Sequence, residues 1–115
     1  MAVVTLILAI APSFALATGN QDSGTNVYKA KCATCHGQDG SGNTPVGKSL
    51  QVADLRSAEI QKKSDAELAQ SVSEGKGNMP AFKTSITDDE IHAVLGYVRT
   101  LAPKGDSAPK KKSGN

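Results

Sequence analysis

Tryptophan is absent from this chain of 115 residues, and aromatic side chains make up only 3% of it. With 38% of residues hydrophobic, the apolar inventory is thin. A domain of this size buries about 60–70% of the surface its unfolded chain exposes, which leaves a conventional core marginal. A compact fold therefore calls for a cross-link, a metal or a cofactor to complete its interior. Cysteine, histidine and methionine are scarce too, two of each, so the donors for any such group can be enumerated.

Long hydrophobic runs are also missing. Residues 2–17 carry no charge, but the stretch is shorter than the ~20 apolar residues a spanning helix needs, and Pro12 interrupts it. Ala15 and Ala17 place small residues at the −3 and −1 positions, so residues 1–17 are expected to be a signal peptide, although no Lys or Arg precedes the apolar run. No cysteine stands at the cleavage site to carry a lipid. The expectation is a soluble, exported protein, periplasmic or in an equivalent oxidising compartment.

Charge of one sign is lacking except at the end. Residues 103–115 hold Lys104, Lys110, Lys111 and Lys112 against Asp106, a net +3, while the rest of the chain sums to −1. Pro, Gly, Ser and Lys dominate this tail, which is read as a disordered, basic extension. Contact with a membrane surface is open to it only weakly, and no nucleic-acid partner is expected. Residues 18–102 are the expected folded domain.

Strand alternation and internal repeats are absent from that domain, leaving an all-α architecture of three to four short helices joined by long loops. Residues 25–33 are good helix formers and run into Cys32. Gly37, Gly40, Gly42, Pro45 and Gly47 then stop regular structure. This Gly-rich stretch is no phosphate cradle, since it lacks both a preceding strand and a Gly-Lys-Ser/Thr ending. Ser64 and Glu67 make a capping box for a helix over about 65–74, closed by Gly75. Thr87 and Glu90 repeat the pattern ahead of the Ile91, Val94, Leu95, Val98 and Leu101 stripe, and Pro103 ends that helix.

What the chain does have is concentration. Both cysteines and one of its two histidines fall within five positions, Cys32, Cys35 and His36. At i, i+3 and i+4 they project from one side of a helical turn, so two thiols and an imidazole can reach one flat object together. Cys-x-x-Cys-His is the attachment signature of c-type haem, with the thiols forming thioethers to the two vinyl groups and the imidazole binding the iron. A thioredoxin-like pair wants a βαβ setting that is missing here. A zinc site would need His92 as a fourth ligand and would force adjacent Cys35 and His36 onto two corners of one tetrahedron. A Cys32–Cys35 disulfide would close a tiny loop and leave His36 unexplained.

One haem c per chain, attached through Cys32 and Cys35 with iron bound to His36, is the reading that remains. For the second axial position Met79 is the candidate, in a loop beside Pro80 with no packing reason for a lone thioether; its alternative role is core filler. His92 lies about 100° around its helix from Ile91, off the apolar stripe, and is expected to face solvent. Thioether opposite imidazole favours the ferrous state and closes the iron to small ligands.

The segments GTNVYKAKCATCHGQDGSG, GKGNMPAF and DDEIHAVLGYVRTL, in that order with Pro45 between the first two, resemble a small bacterial class I c-type cytochrome over about residues 24–102. The resemblance implies the cytochrome c fold wrapped around a covalently bound haem, with Gly24 and Tyr28 against the Gly96–Tyr97 region. It gives Pro45 the carbonyl that accepts from the second nitrogen of the ligand imidazole. Leu50, Leu55, Leu68 and Phe82 are chosen as the apolar wall of the haem pocket, and Arg56 as the central arginine that could meet a propionate. The implied function is a monomeric one-electron carrier between redox partner proteins, not an enzyme. Lys29, Lys31, Lys48, Lys76 and Lys83 are candidates for steering an acidic partner surface. The rival is a haem subunit, a peroxidase-like enzyme or a gas sensor in which Met79 leaves the iron.

Overall fold

The computed structural model describes residues 19–103; the expected signal segment, residues 1–17, and the tail from residue 104 lie outside them. In chain order the elements are α1 (Gly19–Val27), a single π-helical turn (Tyr28–Cys32), α2 (Ala33–His36), α3 (Pro45–Leu50), α4 (Ala58–Gln61), α5 (Asp65–Glu74) and α6 (Asp88–Thr100). Among the described residues there is no strand, only one isolated bridge between Lys76 and Met79. The all-α expectation therefore holds.

The two capping boxes are both formed. Ser64 Oγ accepts from the Glu67 amide while the Glu67 carboxylate accepts from the Ser64 amide, and Thr87 and Glu90 do the same at the start of α6. Each satisfies two amides that the first helical turn would leave without partners. The short helices α3 and α4 were not expected, since six and four residues are too few for a periodic pattern. Their signals are local: Thr44 and Ser57 cap them through side-chain oxygens, and Pro45 occupies the first position of α3, where its missing N–H costs nothing.

Helix α6 is the centre of the molecule. Its Val94 and Val98 pack with Tyr28 and Ala33 in one buried cluster, joined by Leu55, Tyr97 and Leu101. Ile91 and Leu95, one step around, pack with Leu68 and Ile86 in a second cluster that Ile60, Val72 and Phe82 border. Val27 touches both. Burying each such aliphatic side chain stabilises the fold by roughly 1.5–3 kcal/mol. The first cluster seats the π turn and the attachment motif; the second seats α5 and, through Phe82, the end of the Met79 loop.

The crossing of α1 over α6 is close, as the sequence resemblance implies, with Tyr28 on Tyr97 as expected; Gly24, however, meets Ala93 and Val94 and not Gly96, which is exposed. Gly24 lies against the Ala93 carbonyl and the Val94 amide, and the Tyr28 and Tyr97 rings meet at 4.7 Å between centroids with planes tilted by 46°. Arg99 ties the far end of α6 to the α4–α5 connection. Its guanidinium donates to the Gln61 and Lys63 carbonyls at 2.8 and 2.6 Å and pairs with Asp65 at 2.8 Å.

Candidate functional site

Cys32 ends the π turn and Cys35 and His36 sit on α2, so all three belong to one continuous helical run that begins at Gly19. A π turn is wider than an α turn and is frequent at functional sites. Both thiols are free and half-buried. Burial, with the neighbouring Cys35 adding to it, pushes the Cys32 thiol up to about 11. Burial thus disfavours a free thiolate at that position. Among the described residues no three His, Cys, Asp or Glu side chains converge to hold a bare metal ion. His92 is exposed on α6, as the 100° offset implies, and lines a groove of about 470 Å³ with Gln70, Ser73, Glu74 and Asp88, a surface to which neither cysteine contributes.

His36 is fixed through one nitrogen. Its Nδ1 lies 3.2 Å from the Ala53 carbonyl, and because a carbonyl can only accept, Nδ1 carries the proton and Nε2 is left as the ligating atom. Burial lowers the imidazole pKa, opposed by that hydrogen bond; the neutral, metal-binding form is favoured. The carbonyl expected here was that of Pro45. The structure corrects this: Pro45 opens α3, and the extended segment after α3 returns past the imidazole with Ala53.

Three contacts hold that return segment. Leu55 N donates to Gly40 O at 2.8 Å, Val52 N donates to Gly47 O at 3.0 Å, and Arg56 grips Asp54 through two side-chain hydrogen bonds of 3.0 and 2.9 Å. Arg56 also faces Asp39 of the attachment loop at 3.8 Å. The Arg56 hydrogen bonds hold the Asp54 carboxyl below the usual carboxylate range, and bonds from Ser41 do the same for Asp39. Arg56, considered for a propionate, is thus engaged by two carboxylates. Thr44 Oγ1 lies 2.9 and 3.0 Å from the Thr34 and Cys35 carbonyls and accepts from the Gly47 amide, pinning the start of α3 to the attachment turn.

Met79 is half-buried at the tip of a tight loop. Its amide donates to Lys76 O at 2.9 Å and its carbonyl accepts from Lys76 N at 3.1 Å. The base of the loop is zipped by Phe82 N to Val72 O, 3.0 Å, and Lys83 N to Ser73 O, 3.2 Å, with a Lys83–Glu74 ion pair outside them. The four wall residues fall in different places: Leu68 is buried in the second cluster, Phe82 borders it, Leu55 borders the first, and Leu50 is 37% exposed beside Val46 at 40% on α3. Sequence reasoning missed Ala53, because a backbone carbonyl leaves no trace in residue type.

The donor set fits a porphyrin better than any single ion: two free thiols, one imidazole with a committed Nδ1, and exposed aliphatic side chains on α3 beside the attachment turn. Comparisons with known proteins agree. Residues 19–98 match the family model for cytochrome c oxidase, cbb3-type, subunit III. The chain is 41% identical to cytochrome c6 of Leptolyngbya boryana over 83 residues, 72% of this chain and 94% of that protein. It is 37% identical to cytochrome c6 of Gloeothece citriformis over 97 residues, 84% of this chain and 82% of that one. The solved structure of the KustC0563 c-type cytochrome superposes with a TM-score of 0.65 at 34% identity, covering 70% of this chain and 98% of that chain.

Proposed function

Because this chain belongs to the small class I c-type cytochromes, electron carriers with covalently bound haem c, we propose that Cys32 and Cys35 carry the thioether bonds and that His36 and Met79 are the axial ligands. The observation that carries this is the His36 imidazole, held by Ala53 O through Nδ1 with Nε2 uncommitted, on the same helical run as both thiols. When bound, haem c supplies an iron that gains and loses one electron without making or breaking a substrate bond. The chain's own groups set the conditions. Ala53 fixes the tautomer, the zipped loop presents the Met79 sulfur, and Leu50, Leu55, Leu68 and Phe82 keep the surroundings apolar, which disfavours the more highly charged ferric state.

The protein works on this reading as a monomeric, soluble carrier outside the cytoplasmic membrane, meeting a donor and an acceptor protein in turn and performing no catalysis of its own. The domain is assigned to residues 18–102, with residues 1–17 removed on export. Lys29, Lys31, Lys48 and Lys76 are exposed and available to steer an acidic partner surface, while Lys83 is shared with Glu74. Absorption spectra of oxidised and reduced protein, matured in a host able to attach haem, test the proposal together with the intact mass. The expected result is one covalent haem per chain with nitrogen and sulfur ligation. A pigment-free protein at the mass of the bare chain rejects it, and ready binding of carbon monoxide at neutral pH would favour a ligand-binding enzyme or sensor over the carrier.

A further inference from the structure

Tyr28 is wholly buried, yet it carries a hydroxyl where a phenylalanine would fill the same space. That hydroxyl donates to Gly37 O at 2.7 Å, the carbonyl of the residue directly after His36. The surrounding backbone is held at every atom: Gly37 N donates to Ala33 O at 2.8 Å, His36 O accepts from Gly42 N at 2.7 Å, and Gly37 O takes a second, longer bond of 3.2 Å from Gly40 N. Tyr28 therefore supplies the shorter of the two bonds to that carbonyl. Its ring lies against Tyr97, so the bond links the α1–α6 crossing to the turn that carries the ligand histidine.

Two consequences follow from elementary electrostatics. A carbonyl oxygen is the negative end of a dipole, and close to the iron site a bare one favours the ferric over the ferrous state. A short hydrogen bond to that oxygen offsets part of its charge, and it does so strongly in a buried, low-dielectric setting. Burial also pushes the phenol pKa well above its ordinary value, so the hydroxyl remains a donor at any working pH.

We propose that the Tyr28 hydroxyl is a positioning residue for His36, locking the Gly37 peptide and thereby favouring the reduced iron. This rests on the ligand assignment above. The test compares Tyr28→Phe with Tyr97→Phe, both matured with haem, by spectroelectrochemical titration. Tyr28→Phe is expected to keep its covalent haem while the ferrous-to-ferric ratio at a fixed poise falls about threefold; Tyr97→Phe, which perturbs the same ring pair but not Gly37, leaves the ratio unchanged. An unshifted ratio in a haem-bearing Tyr28→Phe protein, or an equal shift in both variants, overturns the inference. If Tyr28→Phe does not mature, isotope-edited infrared spectra of a 13C-labelled Gly37 carbonyl in the unsubstituted protein decide: a band that moves on reduction supports the role, and one that stays overturns it. Failure of the parent protein to carry haem would instead sink the underlying ligand reading, which separates the two failures.

Discussion

A methyl group on Gly24 would fall on the carbonyl of Ala93, so α1 and α6 touch backbone to backbone at that point. The contact brings Tyr28 into the first cluster on α6 and Val27 against both. Gly24→Ala is expected to force the helices apart and cost about 1–3 kcal/mol, as overpacking does. Thermal unfolding of the haem-bearing protein should show a melting point lower by about 4–8 °C for each kcal/mol. An unchanged melting point would mean that the crossing does not form as described.

Gly96 lies on the same helix with the opposite prospect. It is exposed, and a Cβ added there meets nothing within 4 Å. Gly96→Ala should therefore stabilise α6 by about 0.4–1 kcal/mol through the lower entropy of the unfolded chain. Chemical denaturation reads the change directly, and a loss of stability would mean that position 96 is covered in solution.

The elements that sequence reading reached are those whose cause lies in residue type at fixed spacing. Ser64 with Glu67 and Thr87 with Glu90 announce α5 and α6, and the Ile91, Val94, Leu95, Val98 stripe says which face is buried. The clustering of Cys32, Cys35 and His36 speaks for the chemistry in the same way. Ala53 and the π turn could not be read, because both are backbone events. Any residue offers a carbonyl, and the return of the 52–56 segment past His36 is set by Leu55 N on Gly40 O and by Arg56 facing Asp39, contacts between residues fifteen or more positions apart, with the local Arg56–Asp54 pair beside them. The partnership of Tyr28 with Gly37 was hidden for the same reason: the hydroxyl is visible, its acceptor is not.

The Asp54–Arg56 pair gives a pH dependence with a definite sign. Arg56 depresses the folded-state pKa of Asp54 below the unfolded value of about 3.9. Its contribution to stability is therefore fully present above that value and lost as pH falls through the depressed folded value. Both side chains are 41% exposed, so the effect is small and screened by salt. Asp54→Asn should be slightly less stable than the parent at neutral pH and low salt, with the difference vanishing once pH has fallen below the depressed folded-state value. Denaturation midpoints across pH check this; a difference that grows on acidification would contradict the assignment.

Gly75 controls the loop that carries Met79. Its φ of +78° lies where a side chain is strained, and a Cβ would stand 2.6 Å from Met79 O and 2.9 Å from Ala81 N, both rigid backbone atoms. Gly77 also has a positive φ, +57°, but a Cβ there meets nothing within 4 Å. The two glycines thus separate backbone strain from steric displacement of the loop. Gly77→Ala should cost about 1–2 kcal/mol from the left-handed conformation alone. Gly75→Ala adds a clash that can be relieved only by moving the Met79 carbonyl away from Lys76 N, so the sulfur is displaced as well. With haem in place, Gly75→Ala should therefore bind added imidazole at the iron at least tenfold more tightly than Gly77→Ala and lose its spectral signature of sulfur ligation first. Equal imidazole affinity in the two variants would show that the loop relaxes without moving Met79, and would remove the strain at Gly75 from the account of how that ligand is held.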